Sequence, residues 1–271
     1  MPNSNFKKFI IQLRTNVLQL WRSLLGSILF YTILPLPKSC HPYFVRLARW
    51  SPWLGLVLGG ILVGLFLGLS ALQVTPFLKS SLVVTTWLSL TGGLHLDGAM
   101  DSADGLAVTD PQRRLTVMAD SVSGAFGVMV ALVILLLKIA AGESLSPTTW
   151  WILFFVPAWG RWSQVMAIAF YPYLKPTGKG AFHKQQFRFY ADLSVGIAPI
   201  FFGIWLCYFV LPVEQRFSFL LSNLSSLVVA IAVSHWFGSR FRGHTGDTYG
   251  AVVEWTEVFS LIGAVLIANR L

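Results

Sequence analysis

The chain contains seven apolar stretches that are each long enough to cross a lipid bilayer as a helix. About 20 helical residues span a hydrocarbon core of about 30 Å. The stretches cover residues 53–72, 76–94, 124–142, 149–170, 192–213, 217–238 and 251–269. Of the 271 residues, 55% are hydrophobic and only 11% are charged. The sequence therefore predicts a single-domain, all-α, polytopic membrane bundle of about seven transmembrane helices, covering residues 1–271.

Two shorter segments precede the first of these stretches. Residues 1–22 alternate basic and apolar side chains, which predicts an amphipathic helix lying on the membrane surface. Residues 23–37 contain an apolar run of 14 residues that is too short to cross and that ends at Pro35 and Pro37. We expect this second segment to be re-entrant or interfacial.

The basic residues predict how the bundle is oriented, because Lys and Arg in short loops stay on the cytoplasmic side. When residues 95–123 are placed inside, 15 of the 20 basic residues fall on that side. We therefore expect a multi-pass protein of the cell inner membrane, in contact with the lipid bilayer, whose site faces the cytoplasm. The net charge of +9 is explained by the orientation of the protein in the membrane and by contact with anionic lipid or phosphate. It gives no indication of a nucleic acid partner.

The segment from Thr91 to Asp120 holds five of the eleven acidic residues. Asp97, Asp101 and Asp104 stand at i, i+4 and i+7, so a helix would place them on one face. A divalent cation would relieve their mutual repulsion. Mg²⁺ usually binds one or two carboxylates together with substrate phosphates. Residues 95–123 are therefore predicted to bind Mg²⁺ and a diphosphate, with two ions bridged by Asp101.

Four further residues, three of them in the aspartate-rich segment, are candidates for the site. Asp120 is either the N-cap of the next span or a further metal ligand. Gly98 and Gly105 are expected to leave room for the substrate, because glycine lacks a side chain. Asp247 lies between glycines in the short loop SRFRGHTGDTYGA, near the end of the chain.

Several charged residues lie within or beside the apolar stretches. Arg161 either forms an ion pair with an aspartate or binds a substrate phosphate. Lys138 is expected to extend toward the outer interface, and Glu254 and Glu257 to face a shared cavity. The segment YPYLKPTGKGAFHKQQ, which contains Lys175 and Lys179, is either a basic lid for an anionic substrate or an ordinary cytoplasmic loop.

Six sequence motifs occur together in this chain: FYTILPLP, GGLHLDGAMDSADGL, RRLTVMADSVSGAFGV, PAWGR, YLKPTGKG and GHTGDTYGA. In their order and content they resemble the cobalamin synthase family, the membrane-bound adenosylcobinamide-GDP ribazoletransferases. The motifs extend over the whole chain, and the aspartate-rich one is the most specific. The resemblance implies that adenosylcobinamide-GDP and α-ribazole, or its 5'-phosphate, are joined with release of GMP, in a reaction that requires Mg²⁺.

Together, the resemblance and the residue types assign roles to particular positions. The expected metal ligands are Asp97, Asp101, Asp104 and Asp120, and the expected substrate contacts are Arg161, Lys175, Lys179, Gly98, Gly105 and Thr245. Asp104 is the first choice for general base, followed by Asp247 or His95. A homo-oligomer and contacts with other corrinoid-pathway enzymes are further possible partnerships.

Two other functions fit an acidic membrane helix. A CDP-alcohol phosphotransferase would exchange CMP for a lipid alcohol, but its motif has an Ala-Arg pair where Ala99 and Met100 stand here. A cation-coupled transporter would place its acids near the membrane midplane, whereas these cluster at one end of a span.

Overall fold

The computed structural model describes residues 3–37, 39–120, 122–175, 178 and 180–271. All regular secondary structure in these ranges is helical, which confirms the predicted fold class. The α-helices are α1 (Asn3–Tyr31), α2 (Ser51–Ala71), α3 (Pro76–Leu90), α4 (Leu94–Ala107), α5 (Arg114–Val117), α6 (Ala125–Glu143), α7 (Trp150–Phe170), α8 (Ala181–Gln186), α9 (Phe189–Val210), α10 (Val213–Phe241) and α11 (Gly246–Ala268). Short 3₁₀ helices at Leu47–Trp50 and Pro147–Thr149 precede α2 and α7.

Within the described residues, five helices are long and apolar enough to cross a membrane. They are Leu47–Ala71, Ala125–Glu143, Phe189–Val210, Val213–Phe241 and Gly246–Ala268, and each overlaps a predicted span. The two remaining predicted spans coincide with α3, which has 15 residues, and with α7, which has 21 and contains Arg161 and Gln164. The chain is thus a multi-pass membrane bundle, and the count of seven spans stays a prediction.

Helix α7 lies at the centre of the bundle, with nearly all of its side chains buried among α2, α9, α10 and α11. Gly55 and Gly59 of α2 face its backbone, and a side chain on either glycine would overlap Ala158 or Phe154. Small residues at such positions let helices approach closely inside a membrane. Because α7 is enclosed, the exposed apolar side chains lie on the surrounding helices, for example Trp205 and Phe209 of α9.

The N-terminal segment differs from its predicted division at residue 22. Helix α1 continues without a break to Tyr31, so the start of the predicted re-entrant segment belongs to this helix. Its first half exposes apolar side chains such as Phe6 and Ile11, whereas Ser27 and Tyr31 in its last turns are buried. After α1 the chain is irregular, and the N–H of Ile33 donates to the carbonyl of Leu90. A re-entrant path stays a prediction.

Short connections make successive long helices antiparallel, which gathers α4 and several helix ends at one end of the bundle. There α4 meets the start of α6, and the segment after α7 pairs with the start of α11 through a β-bridge between Tyr173 and His244. The start of α9 is joined to the segment before α2 by the Arg46–Asp192 ion pair. We call this end the acidic end, because it holds Asp97, Asp101, Asp104 and Asp247.

Candidate active site

Helix α4 carries three aspartates along its more accessible side. It begins after Gly92 and Gly93, whose φ angles of 60° and 72° require the left-handed conformation that glycine adopts easily and so separate α4 from α3. Its other side, with His95 and Ser102, is buried against the bundle. Of the aspartates at i, i+4 and i+7, Asp97 is exposed, and Asp101 and Asp104 are partly buried.

Helix α11 brings a fourth aspartate to this surface, because its first turn packs directly on α4. A Cβ atom on Gly98 would lie 2.5 Å from the carbonyl oxygen of Asp247, and one on Gly250 would lie 2.8 Å from that of His95. Both glycines are therefore needed for helix contact. This corrects the prediction that Gly98 leaves room for substrate, since the space beside it is filled by α11.

The four carboxylates influence one another electrostatically. Burial, followed by the charges of Asp97, Asp247 and Asp104, raises the pKa of Asp101 from its usual 3.8 to about 6, and the charge of Lys175 opposes this rise. Like charges that share a site disfavour one another's ionised forms. Asp101 therefore lies at the centre of a cluster that a proton or a cation would stabilise.

Lys175 and Thr245 fix the orientation of Asp247. The Lys175 Nζ lies 3.1 Å from Asp247 Oδ2, and both side chains are about a quarter exposed, at 27% and 26%. The Thr245 hydroxyl donates to the same oxygen at 3.2 Å and accepts from the N–H of Thr248, which caps α11. Thr245 is fully buried, so it positions Asp247, and its predicted contact with substrate is not supported.

Asp104 connects α4 to the start of α6. Its Oδ2 accepts from the N–H of Gly124 at 2.7 Å and its Oδ1 from the N–H of Gly127 at 2.8 Å. Side chains on either glycine would overlap this carboxylate. Asp104 thus satisfies two free N–H groups of a helix N-terminus. A carboxylate engaged in this way is a poorer general base than the sequence predicted.

Asp120 is not the N-cap of α6, which was one of the two roles that the sequence left open for it. Helix α6 begins five residues later, at Ala125, and it is Asp104 that receives its N–H groups. The exposed Asp120 side chain accepts from the N–H of Val122 in a local turn, and it is not among the carboxylates that raise the pKa of Asp101. The N-cap interpretation of Asp120 is therefore wrong, and its role as a metal ligand stays a prediction.

Two more predicted site residues lie away from the carboxylate cluster, and a third cannot be placed among the described residues. Gly105 packs on α5, where a Cβ atom would lie 2.6 Å from Met118 Cγ, so it leaves no room for substrate. His95 is 2% exposed, its ring stacks on Tyr31, and it faces the bundle interior instead of the aspartates, which argues against its nomination as a base. Lys179 lies outside the described residues.

A buried charge cluster within the bundle was not predicted from the sequence. The Lys138 Nζ lies 2.7 Å from Glu254 and 2.6 Å from Glu257, and the Arg161 Nη1 lies 2.9 Å from Glu257. Lys138 is 4% exposed and does not extend to the interface, as the sequence had predicted. Arg161 pairs with a glutamate instead of an aspartate, and at 0% exposure it is not placed to meet a phosphate. Two cations and two anions neutralise one another here.

The acidic end suits a metal ion that is only partly enclosed by protein. Within the described part of the chain, no three Asp, Glu, His or Cys side chains converge closely enough to enclose a metal ion. Mg²⁺ commonly uses one or two carboxylates and takes its remaining ligands from water and substrate phosphates. Asp97 and Asp101 can supply such carboxylates, because neither accepts a side-chain or capping hydrogen bond from the described residues.

The fold and this surface define a polytopic membrane protein with a carboxylate cluster at one end of its helical bundle. The chain belongs to the cobalamin-5-phosphate synthase family, whose sequence profile matches residues 23–265. This match confirms the resemblance seen in the motifs, and it decides against a lipid phosphotransferase and a transporter.

Individual relatives agree with the family profile. An adenosylcobinamide-GDP ribazoletransferase of Synechocystis sp. is 50% identical over 244 residues, which cover 89% of this chain and 94% of the relative. One of Thermosynechococcus vestitus is 49% identical over 243 residues, covering 90% and 96%. One of Prochlorococcus marinus is 34% identical over 249 residues, covering 89% and 94%. No solved structure matches the chain.

Proposed function

We propose that this protein joins adenosylcobinamide-GDP to α-ribazole, or to its 5'-phosphate, with release of GMP. The family and its relatives support this transferase activity. The observation that carries the site assignment is the grouping of Asp97, Asp101 and Asp247 with Lys175 at the acidic end. A ribose hydroxyl of the ribazole attacks the phosphorus nearer the cobinamide, and the bond to the GMP oxygen breaks.

We propose that Asp97 and Asp101 hold Mg²⁺, with Asp104 beside them. When bound, Mg²⁺ would neutralise charge on the diphosphate and on the leaving GMP. The protein's own contribution is to fix these carboxylates on one rigid helix, held by Gly98 against α11 and by Asp104 against α6. Fixed charges of this kind act without reorganising during the reaction.

Asp247 is our choice for the residue that accepts the proton of the attacking hydroxyl. Its Oδ2 is engaged by Lys175 and Thr245, but its Oδ1 has no hydrogen-bond partner among the residues that the structure describes. Asp104 uses both of its oxygens to bind α6. A general base needs a free oxygen within reach of the proton that it removes, and Asp247 meets this condition best.

The chemistry of the acidic end also supports an orientation toward the cytoplasm. Lys175 and Lys184 lie in the connection between α7 and α9, Arg240 lies in the last turn of α10, and Arg242 follows this helix directly. Basic residues in short connections and at the adjoining helix ends stay on the cytoplasmic side. We therefore propose that the site faces the cytoplasm, from the cell inner membrane, and that both soluble substrates reach it from there.

Release of GMP from adenosylcobinamide-GDP by detergent-purified protein tests this proposal. We expect release that requires α-ribazole and Mg²⁺ and stops with a chelator. Release from CDP-alcohol substrates instead, or GMP release that a chelator does not affect, would contradict the proposed reaction or its metal dependence respectively.

A further inference from the structure

A second polar cavity lies beside the N-terminal helix, apart from the aspartates of α4. Its volume is about 460 Å³. It lies between the middle of α1, the segment before α2 and the segment before α9, and its polar lining includes Asn16, Gln19, Tyr43, Arg46, Arg49 and Arg188. We call this cavity the arginine pocket. Neither the proposed reaction nor the sequence motifs assign it a role.

The arginine pocket has more positive than negative charge. Asp192, at the start of α9, is the carboxylate that the structure places against its arginines. Both oxygens of Asp192 are already used, because Arg46 donates to each of them and the backbone N–H of Arg188 donates to Oδ2 at 2.8 Å. The pocket lining contains three guanidinium groups, of Arg46, Arg49 and Arg188, against this one carboxylate, which leaves an excess of about two positive charges.

Arg49 has hydrogen-bonding capacity that the described protein atoms do not satisfy. Its side chain is only 8% exposed, and its Nη1 lies 3.9 Å from Asp192, too far for a hydrogen bond. Its Nε is buried and has no hydrogen-bond partner among the described residues. A buried donor without a partner costs free energy, which a bound anion would recover.

The pocket is built from fixed parts. Arg46 adopts a left-handed conformation, with φ of 53°, and its N–H donates to Gln186 Oε1 at 2.9 Å. Ser23 of α1 accepts from Trp50 Nε1 at 3.0 Å and donates to the carbonyl of Val45 at 2.6 Å. A rare backbone conformation that surrounding contacts hold in place is typical of ligand sites.

We propose that the arginine pocket binds a phosphate group, carried either by an anionic lipid headgroup or by a soluble phosphate. The planar guanidinium fork matches phosphate oxygens in a two-point geometry that a chloride ion or a single lysine does not reproduce. The exposed apolar side chains of α1, including Trp21, place the pocket next to a membrane surface. Basic pockets between helices at such a surface suit phospholipid headgroups.

Titration of the detergent-purified protein with phosphatidylglycerol and, separately, with inorganic phosphate tests the proposal, with intrinsic Trp fluorescence as the readout. Arg188→Gln is the test variant, because the Arg188 side chain is exposed and makes no ion pair with the described residues. We expect it to weaken binding at least about fivefold, which corresponds to the loss of one basic residue at an anionic surface. Arg49→Lys keeps the charge but loses the fork, and should weaken binding as well.

Arg240→Gln is the matched control, since Arg240 is exposed at the acidic end outside the pocket. If Arg188→Gln weakens the binding of phosphatidylglycerol but not of inorganic phosphate, the pocket binds a lipid headgroup. If it weakens the binding of inorganic phosphate but not of phosphatidylglycerol, the pocket binds a soluble phosphate. Equal binding of both ligands by Arg188→Gln and the unmodified protein would overturn the proposal. An equal loss in Arg240→Gln would also overturn it, because the effect would then be general surface charge. Unchanged thermal midpoints without ligand establish that each variant folds.

Discussion

Replacement of Asp104 by asparagine should destabilise the protein, because Asp104 joins α4 to the start of α6. In Asp104→Asn one oxygen still accepts a backbone N–H, but the new amide group points two donors at the other. Each hydrogen bond to a charged acceptor contributes about 1.5–3 kcal/mol. With one bond lost and the other made neutral, we expect a loss of about 3 kcal/mol in the free energy of unfolding. For a chain of this size that corresponds to about 6–12 °C in thermal midpoint.

Thermal unfolding in detergent, followed by Trp fluorescence, measures this effect. Asp101→Asn is the matched comparison, because Asp101 lies three residues away on the same helix and its carboxylate is disfavoured by its neighbours. It should keep or raise the midpoint of the unmodified protein in the presence of a chelator. If Asp104→Asn had an unchanged midpoint, its carboxylate would not be the cap of α6. If both variants lost equal stability, the contrast between a capping and a clustered aspartate would be wrong.

Three further outcomes follow from the same contacts. Lys138→Met should lower the thermal midpoint by the equivalent of about 3–5 kcal/mol, because it leaves a buried glutamate charge uncompensated; an unchanged midpoint would mean that the cluster is not held by this lysine. The pKa of Asp101 is raised from 3.8 to about 6, so the folded protein binds more protons than the unfolded chain in that interval. With a chelator present, the contribution of Asp101 to the free energy of unfolding should therefore fall as the pH rises from about 4 to 6. Thermal midpoints measured across this pH range should show the fall in the unmodified protein and not in Asp101→Asn. Gly98→Ala should separate α4 from α11, since its new methyl group would overlap the carbonyl of Asp247; it should reduce both GMP release and thermal midpoint, and a normal value of either would contradict the proposed contact.

The features that the sequence predicted well are those that depend on local pattern. Apolar stretches of about 20 residues identify membrane helices because the bilayer sets their length. Five of the seven predicted spans overlap a helix that is both long and apolar enough to cross a membrane, and the other two coincide with the helices α3 and α7. The spacing of Asp97, Asp101 and Asp104 likewise depends only on helical geometry, and α4 is indeed a helix over these residues.

The features that the sequence missed depend on contacts between distant segments. The sequence predicts Asp104 as the first choice for general base, whereas in the structure its hydrogen-bond partners lie 20 and 23 residues further along the chain and occupy both of its oxygens. The spacing of Gly124 and Gly127 at the start of an apolar stretch was the available signal for a helix start that needs an outside cap. Lys138 could have been matched with Glu254 and Glu257, since charges inside apolar helices need partners.

The roles of Gly98 and Gly105 also depend on contacts with distant segments. A glycine beside an aspartate can make space for a ligand or for another helix, and the sequence does not distinguish these uses. At Gly98 the neighbouring atoms belong to Asp247, and at Gly105 to Met118, so packing decides both. The partner of Arg161 could not be predicted from the sequence either, because Glu257 lies 96 residues away.

The central claim is that the α4 carboxylates at the acidic end support transfer of the cobinamide phosphate with release of GMP. The most direct test compares GMP release by the unmodified protein, Asp101→Asn and Asp110→Asn, with the same substrates and Mg²⁺. Asp110 is a suitable control because it is exposed and accepts only a local N–H, from Gln112. We expect Asp101→Asn to lose GMP release while it keeps its thermal midpoint, and Asp110→Asn to remain active. Near-normal GMP release by Asp101→Asn would contradict the claim.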